Sequence, residues 1–341
     1  MNIKRWLLTA TTVILATFGV SAVPSVHASE EKETAYIDVA AATLWTAPNI
    51  LREVDAPSAT NPVDMKKWTT SMNLKQKQQL SSGGMLETQA LYGNKVTVLD
   101  EQGDWVKVAV DGQLTSRNEL GYPGWMPTKQ LTYSKRYEQY AKKPFVMVTA
   151  PTTYLYHSPS LKKKGIEVSY NTRLPLLVKS KSAYKVLKPN GKTAWISTKA
   201  GKIYASQKDI PVPTGTELVE SGKAFLNLPY LWAGMSGFGF DCSGFTFTMY
   251  QSHGITIPRD SGPQSRAGKP VDMNNLQPGD LLFFAYNQGK GSVHHVAMYA
   301  GDGMMIHSPN SERTVEIIPL NTKGYIEEYA GARRYLPYSV R

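Results

Sequence analysis

A single cysteine, Cys242, stands in a chain of 341 residues. That feature removes whole fold classes at once. One thiol cannot close an intrachain disulfide, so the chain is not a disulfide-stapled scaffold. It cannot build a cysteine-rich zinc site either. The chain must hold itself together with buried apolar cores. Three roles remain for Cys242: an inert buried thiol, one half of an intermolecular disulfide, or a nucleophile.

The first residues predict export. "MNIKRWLLTATTVILATFGVSAVPSVHASE" sets Lys4 and Arg5 before an apolar stretch, and Val26 and Ala28 before a cleavage point. Residues 1–28 therefore read as a signal peptide. The apolar run is short for a membrane span. A secreted or wall-associated protein is the expectation. The formal charge of +11 suits weak contact with an anionic surface such as a bacterial wall. No basic–aromatic reading motif points to nucleic acid. The length suits two or three domains, and a monomer is expected.

An internal repeat organises the first two thirds. "YIDVAAATLWTAPN" (36–49) resembles "VMVTAPTTYLYHSPS" (146–160). "GDWVKVAVDGQ" with "GYPGWMPTKQL" (103–131) parallels "SAYKVLKPNGKTAWISTKAGKIY" (182–204). Each unit alternates apolar and polar residues between close turn signals, which marks half-buried strands of small all-β modules. Both units resemble bacterial SH3-like (SH3b) barrels. The first, residues 29–140, carries a polar, helix-forming insertion at 62–84. The second covers 141–208.

A different domain follows over 209–341. "IPVPTG" reads as a linker, and Thr214 three residues before Glu217 forms a capping box. Helical spacing then runs through Leu218, Val219, Ala224, Phe225 and Leu228. Beyond about residue 270 the pattern changes to strands: "LQPGDLLFFA", then "VHHVAMYAGDGMMIHSPN" as a hairpin. Helices first and an antiparallel sheet second make an α+β domain.

Cys242 falls at the start of a helix predicted from about Asp241. The helix dipole and free N–H groups there favour a thiolate. Small neighbours Ser243 and Gly244 leave room for a substrate and an oxyanion donor. A thiolate needs a base. If the hairpin loop is Gly301-Asp302-Gly303, Ala297 faces His307, and His295 shares that face. A loop of two residues would break this parity. On this register His295 is the base and His307 orients it.

"LPYLWAGMSGFGFDCSGFT", "LQPGDLLFF" and "HHVAMYAGDGMMIHS" resemble the motifs of the NlpC/p60 family. The one departure noted is Ala233, where the family usually has Gly. The resemblance implies a papain-like α+β catalytic domain preceded by two SH3b barrels. It implies a cysteine peptidase acting on peptidoglycan stem peptides through Cys242, His295 and His307, with no cofactor or metal. The architecture is similar to the YkfC-like subgroup of γ-D-glutamyl-L-diamino acid endopeptidases, which prefer a free N-terminal L-Ala. By that likeness Glu87, Tyr122, Tyr230, Asp241, Ser243, Asp260 and Ser261 contact substrate. Glu87 and Asp260 would then supply carboxylates to the free ammonium. A sacculus-acting autolysin and a non-catalytic wall-binding protein remain alternatives.

Overall fold

The computed structural model describes residues 33–337; the signal-peptide reading of residues 1–28 lies outside them. Two seven-stranded sheets come first, one between Thr34 and Thr132 and one between Phe145 and Tyr204. Counting strands by appearance in each sheet, the spatial order is third, second, sixth, fifth, fourth, first, seventh in both. The faint sequence repeat is thus a repeat of topology. Its tryptophans are equivalent: Trp125 pairs across strands with Trp45, and Trp195 with Tyr156. Such aromatic cross-strand pairs pin the register of small barrels.

The first barrel carries extra helices. A 3₁₀ turn at Glu53–Ser58 leads to α1 (Met65–Ser71) and α2 (Leu74–Ser82). Asp64 and Asn73 cap these helices, each accepting from the backbone three residues on. Trp68 on α1 is fully buried, and its Nε1 donates to Asp55 Oδ1 at 2.8 Å. Arg52 balances that buried carboxylate at 2.8 Å. The insertion is therefore anchored to the barrel rather than a loose loop. A short helix, α3 (Lys135–Tyr140), connects the two barrels.

In the last domain α4 (Gly215–Lys223) begins with the Thr214–Glu217 capping box. It is shorter than the apolar spacing predicts. Asn227 takes φ 69 and Pro229 follows, so Ala224, Phe225 and Leu228 lie beyond the helix. Phe225 still packs into the domain core, and Leu228 packs against it. Next come α5 (Cys242–Ser252) and α6 (Ser261–Arg266). A six-stranded antiparallel sheet completes the domain, running Lys269–Val271, Tyr329–Arg334, Leu281–Ala285, Val293–Gly301, Met304–His307, Glu316–Pro319. α5 is buried along almost its whole length and packs on the strand Val293–Gly301.

The domains are riveted by buried polar contacts. Gln89 Oε1 accepts from Met235 N and Ser236 Oγ, and Arg259 Nε donates to Thr88 Oγ1 at 3.0 Å. Gly237 N donates to Ser169 Oγ, and Tyr170 Oη to Ser252 Oγ, both at 2.8 Å. Leu231, Ala233 and Phe238 share one apolar cluster with Trp45 and Trp68. Each barrel therefore touches the segment that leads into α5.

Candidate active site

Cys242 is the first residue of α5, with Asp241 as N-cap accepting from Gly244 N at 2.5 Å. Gly244 is required by packing. A Cβ there would sit 2.0 Å from the Gly234 carbonyl oxygen, so its smallness serves the helix start rather than an opening for substrate. Ser243 is likewise buried, and its hydroxyl accepts from Arg259 Nη1 at 2.9 Å. Ala233, the departure from the family pattern, has φ 60. That is the left-handed region where glycine is the usual residue.

The hairpin brings the histidines together, by a route the sequence did not suggest. The turn is the two residues Asp302 and Gly303, with φ 51 and 71, as a type I′ turn requires. A two-residue turn alone would put His307 on the wrong face. A bulge at Ala300, between the Tyr299–Met305 and Gly301–Met304 pairs, restores parity. Met298 then faces Ile306, and one step further Ala297 faces His307. His295 Nε2 lies 2.9 Å from His307 Nδ1.

The chain of contacts continues to an acid. His307 Nε2 is 3.1 Å from Glu316 Oε1, on the neighbouring strand directly opposite His307. Arg313 balances Glu316 at 2.7 Å. These partners settle the tautomers. A carboxylate only accepts, so His307 donates from Nε2 and accepts at Nδ1. His295 must then donate from Nε2, which leaves its Nδ1 as the basic lone pair. His307 has no exposed surface. Burial, with the Arg313 charge, holds its pKa down at about 3.

Cys242, His295 and Tyr230 line one cavity of about 310 Å3, which Lys323, Tyr325 and Glu328 also line. Burial pushes the Cys242 thiol up to about 12, and the Asp241 carboxylate adds to it. The Val296 and Ser243 N–H groups pull the other way and do not win. Burial, with His307 and His294 adding to it, holds His295 well below its ordinary value. The thiolate expected from the helix dipole is thus opposed by desolvation. The resting pair is a neutral thiol beside a neutral imidazole. Burial, with the neighbouring Cys242 and Asp241 adding to it, keeps the Tyr230 phenol protonated, a hydrogen-bond donor on the same cavity as the sulfur.

A second polar chain runs from the first barrel to Cys242. Arg117 grips both carboxylate oxygens of Glu87 and approaches the Tyr122 hydroxyl at 3.4 Å. Tyr122 donates to Asp260 Oδ2 at 3.0 Å. Arg259, fully buried, pairs with Asp241 at 2.9 Å and lies 4.0 Å from Asp260. Ser261 follows as the first residue of α6. The expected contact set is therefore largely contiguous, with one correction. Glu87 is not an open carboxylate, because Arg117 already balances it. Counting Glu87, Asp241 and Asp260 against Arg117 and Arg259, the wall carries one uncompensated negative charge. Asp260, with its side chain 40% exposed, is the group that presents it.

The model of the NlpC/P60 family matches residues 227–334. Models of the YKFC SH3b2 domain and of a bacterial dipeptidyl-peptidase Sh3 domain match 148–204 and 80–131. Over 328 residues the chain is 64% identical to a gamma-D-glutamyl-L-lysine dipeptidyl-peptidase of Bacillus cereus, covering 96% of this chain and 98% of that one. The chain belongs to the NlpC/P60 family. This NlpC/P60 chain is also 39% identical to a protein of the same name from Bacillus subtilis, covering 86% of it and 96% of that relative. A crystal structure of an NlpC/P60 family protein from Bacillus cereus superposes with a TM-score of 0.88 at 66% identity, over 89% of this chain and all of that one.

Sequence reasoning placed the NlpC/P60 cysteine and histidines but missed three residues: Glu316, Arg259 and Arg117. Glu316 had a signal, since a buried histidine on one strand invites an acid on the next. Arg259 sits within the quoted "PRDSG" segment, beside an aspartate that already drew attention. Nothing local marks Arg117, which meets Glu87 from 30 residues away. Two further histidines bond elsewhere: His253 to Ser221 at 2.9 Å, and His294, which lines the same cavity, to Glu328 at 2.9 Å while stacking on Tyr286.

Proposed function

We propose that this chain is a cysteine endopeptidase that hydrolyses the bond between γ-D-Glu and an L-diamino acid in peptidoglycan stem peptides with a free N-terminal L-Ala. The observation that carries the reading is Cys242 and His295 on one cavity, with the His307–Glu316 relay behind His295. His295 Nδ1 accepts the Cys242 proton as the sulfur attacks the γ-carbonyl carbon. The neutral Tyr230 hydroxyl and the Cys242 N–H are the donors available to the oxyanion. The imidazolium that forms is stabilised through His307 by Glu316. His295 then protonates the leaving amine, and water resolves the thioester.

The charge of the adjoining wall supports the substrate end. A free ammonium beside Asp260 neutralises the one uncompensated charge, whereas an acylated Ala leaves the wall with its net negative charge. The Bacillus relatives' name, a γ-D-glutamyl-L-lysine dipeptidyl-peptidase, supports the same cut. Residues 1–28 and the charge of +11 support export and retention near an anionic wall.

The test uses L-Ala-γ-D-Glu-L-Lys, its diaminopimelate analogue, and each peptide acetylated on the α-amine. Mass spectrometry scores products, with Cys242→Ala as control. Release of L-Ala-D-Glu from the free peptides alone is expected. Equal cutting of acetylated peptides removes the ammonium requirement, and no cutting at all removes the activity.

A further inference from the structure

A cavity of about 500 Å3 lies away from Cys242, where the two barrels meet the far end of α5. Its wall combines Lys95 of the first barrel, Lys142 and Lys143 of the connector, Arg173 of the second barrel and Gln251 of α5. The opposing acid in the lining is Asp111. Four cations therefore face one carboxylate.

Arg173 is the group at the centre of this arrangement. Its Nε and Nη2 donate to Asn171 Oδ1 at 3.3 and 3.2 Å, its Nη1 to Gln207 Oε1 at 2.8 Å, and its Nη2 to the Gln251 carbonyl at 2.6 Å. Every acceptor is neutral. Four of five N–H bonds are used, so one hydrogen on Nη1 is left over. No carboxylate of the described residues lies within ion-pair distance of Arg173, Lys95, Lys142 or Lys143. Burial pulls the Arg173 value down to about 10, the cost of holding a charge without a counter-ion. The guanidinium also sits 5.7 Å from the centre of the Phe145 ring.

The rest of the lining says what kind of anion fits. Asn171 is already bonded to Arg173 and Gln251, so the side-chain NH2 groups of Asn94, Gln207 and Gln251 are the donors that suit hydroxyl groups, and Phe145 offers an apolar face. We propose that this junction binds an anionic carbohydrate, a sugar or polyol carrying a phosphate or a carboxylate. The acid meets Arg173 and the connector lysines, while the hydroxyls meet the amides. Gln251 and Cys242 are nine residues apart on α5, about 14 Å at the helical rise, so the site is separate from the catalytic cavity.

The test titrates the full chain carrying Cys242→Ala with glycerol 3-phosphate and with N-acetylmuramic acid, by calorimetry. Glycerol, N-acetylglucosamine and inorganic phosphate are the controls. Saturable binding of at least one charged probe is expected, tighter than any control. Phosphate-only binding names a phosphodiester polymer as the source, and acid-only binding names a carboxylated glycan. Arg173→Gln risks the fold, so the decisive variant is Lys142→Glu/Lys143→Glu on the exposed rim. It should weaken binding about tenfold and leave peptide cleavage by the otherwise wild-type chain unchanged. Absence of saturation, equal affinity in the double variant, inorganic phosphate matching glycerol 3-phosphate, or a loss of cleavage would each overturn the proposal.

Discussion

His295 Nε2 stands 2.9 Å from His307 Nδ1, and this contact leaves Nδ1 as the nitrogen of His295 free to accept a proton. His307→Ala should therefore lower kcat about 100- to 10,000-fold while KM changes little. Glu316→Gln keeps the shape but lets His307 choose either tautomer, and should cost less than His307→Ala. Steady-state kinetics on L-Ala-γ-D-Glu-L-Lys checks both. A KM effect larger than the kcat effect would contradict an orienting role.

Burial of His295 and His307 sets a pH dependence. Both fold with pKa values below the unfolded value near 6.5. Below pH 6.5 the unfolded chain binds more protons, so stability is lost as pH falls toward the folded values. Each group contributes a slope approaching about 1.4 kcal/mol per pH unit. The melting temperature should drop between pH 6.5 and about 3, and less steeply in His307→Gln. The acid limb of kcat/KM should likewise lie well below 6.5, because the neutral base survives there.

Removing Arg259 strands the buried Asp241 carboxylate, whose side chain is 8% exposed. Arg259→Met should cost about 3–5 kcal/mol in urea unfolding. The double variant Arg259→Met/Asp241→Asn should recover a measurable part of that loss.

Asp260 and Glu87 should behave differently although both are acids on the same wall. Asp260→Asn should raise KM for free-amine peptides about tenfold or more. Glu87→Gln should do less, because Arg117 already balances Glu87. Arg117→Gln frees Glu87 and adds negative charge, so KM for free-amine peptides should fall. The reverse ranking would mean that Glu87 is the receiving group.

Deleting Ala300 removes the bulge but leaves Tyr299 opposite Met305 and Met298 opposite Ile306, so the His295–His307 pairing and peptide cleavage should survive. Inserting one alanine between Ala297 and Met298 turns His295 to the opposite face, and activity should fall to the Cys242→Ala level while the far-UV circular dichroism keeps its β signature.

Alternation between turn signals was enough to find both barrels, because half-buried strands write their burial directly into sequence. The meeting of His295 with His307 was legible for the same reason, since period-two spacing sets both on one face. Yet the parity came out right through compensation. The turn is one residue shorter than read, and the bulge at Ala300 makes up the difference. The glycine beside the bulge, Gly301 with φ 95, reads equally well as a turn residue. Charge pairing was the least legible layer. Arg259 reaches Asp241 over 18 residues and Arg117 reaches Glu87 over 30, and no local pattern encodes such distances. The thiol's environment was also hidden, because a helix start is readable while the burial around it is not.

The hydrogen bond from Tyr122 to Asp260 joins residues 138 positions apart, one on the first barrel and one on the last domain. Under the proposed function, a site closed at that junction would work like a ruler with a stop. It would measure from an end rather than along a length, so the cut would fall a fixed two residues in, whatever is attached downstream.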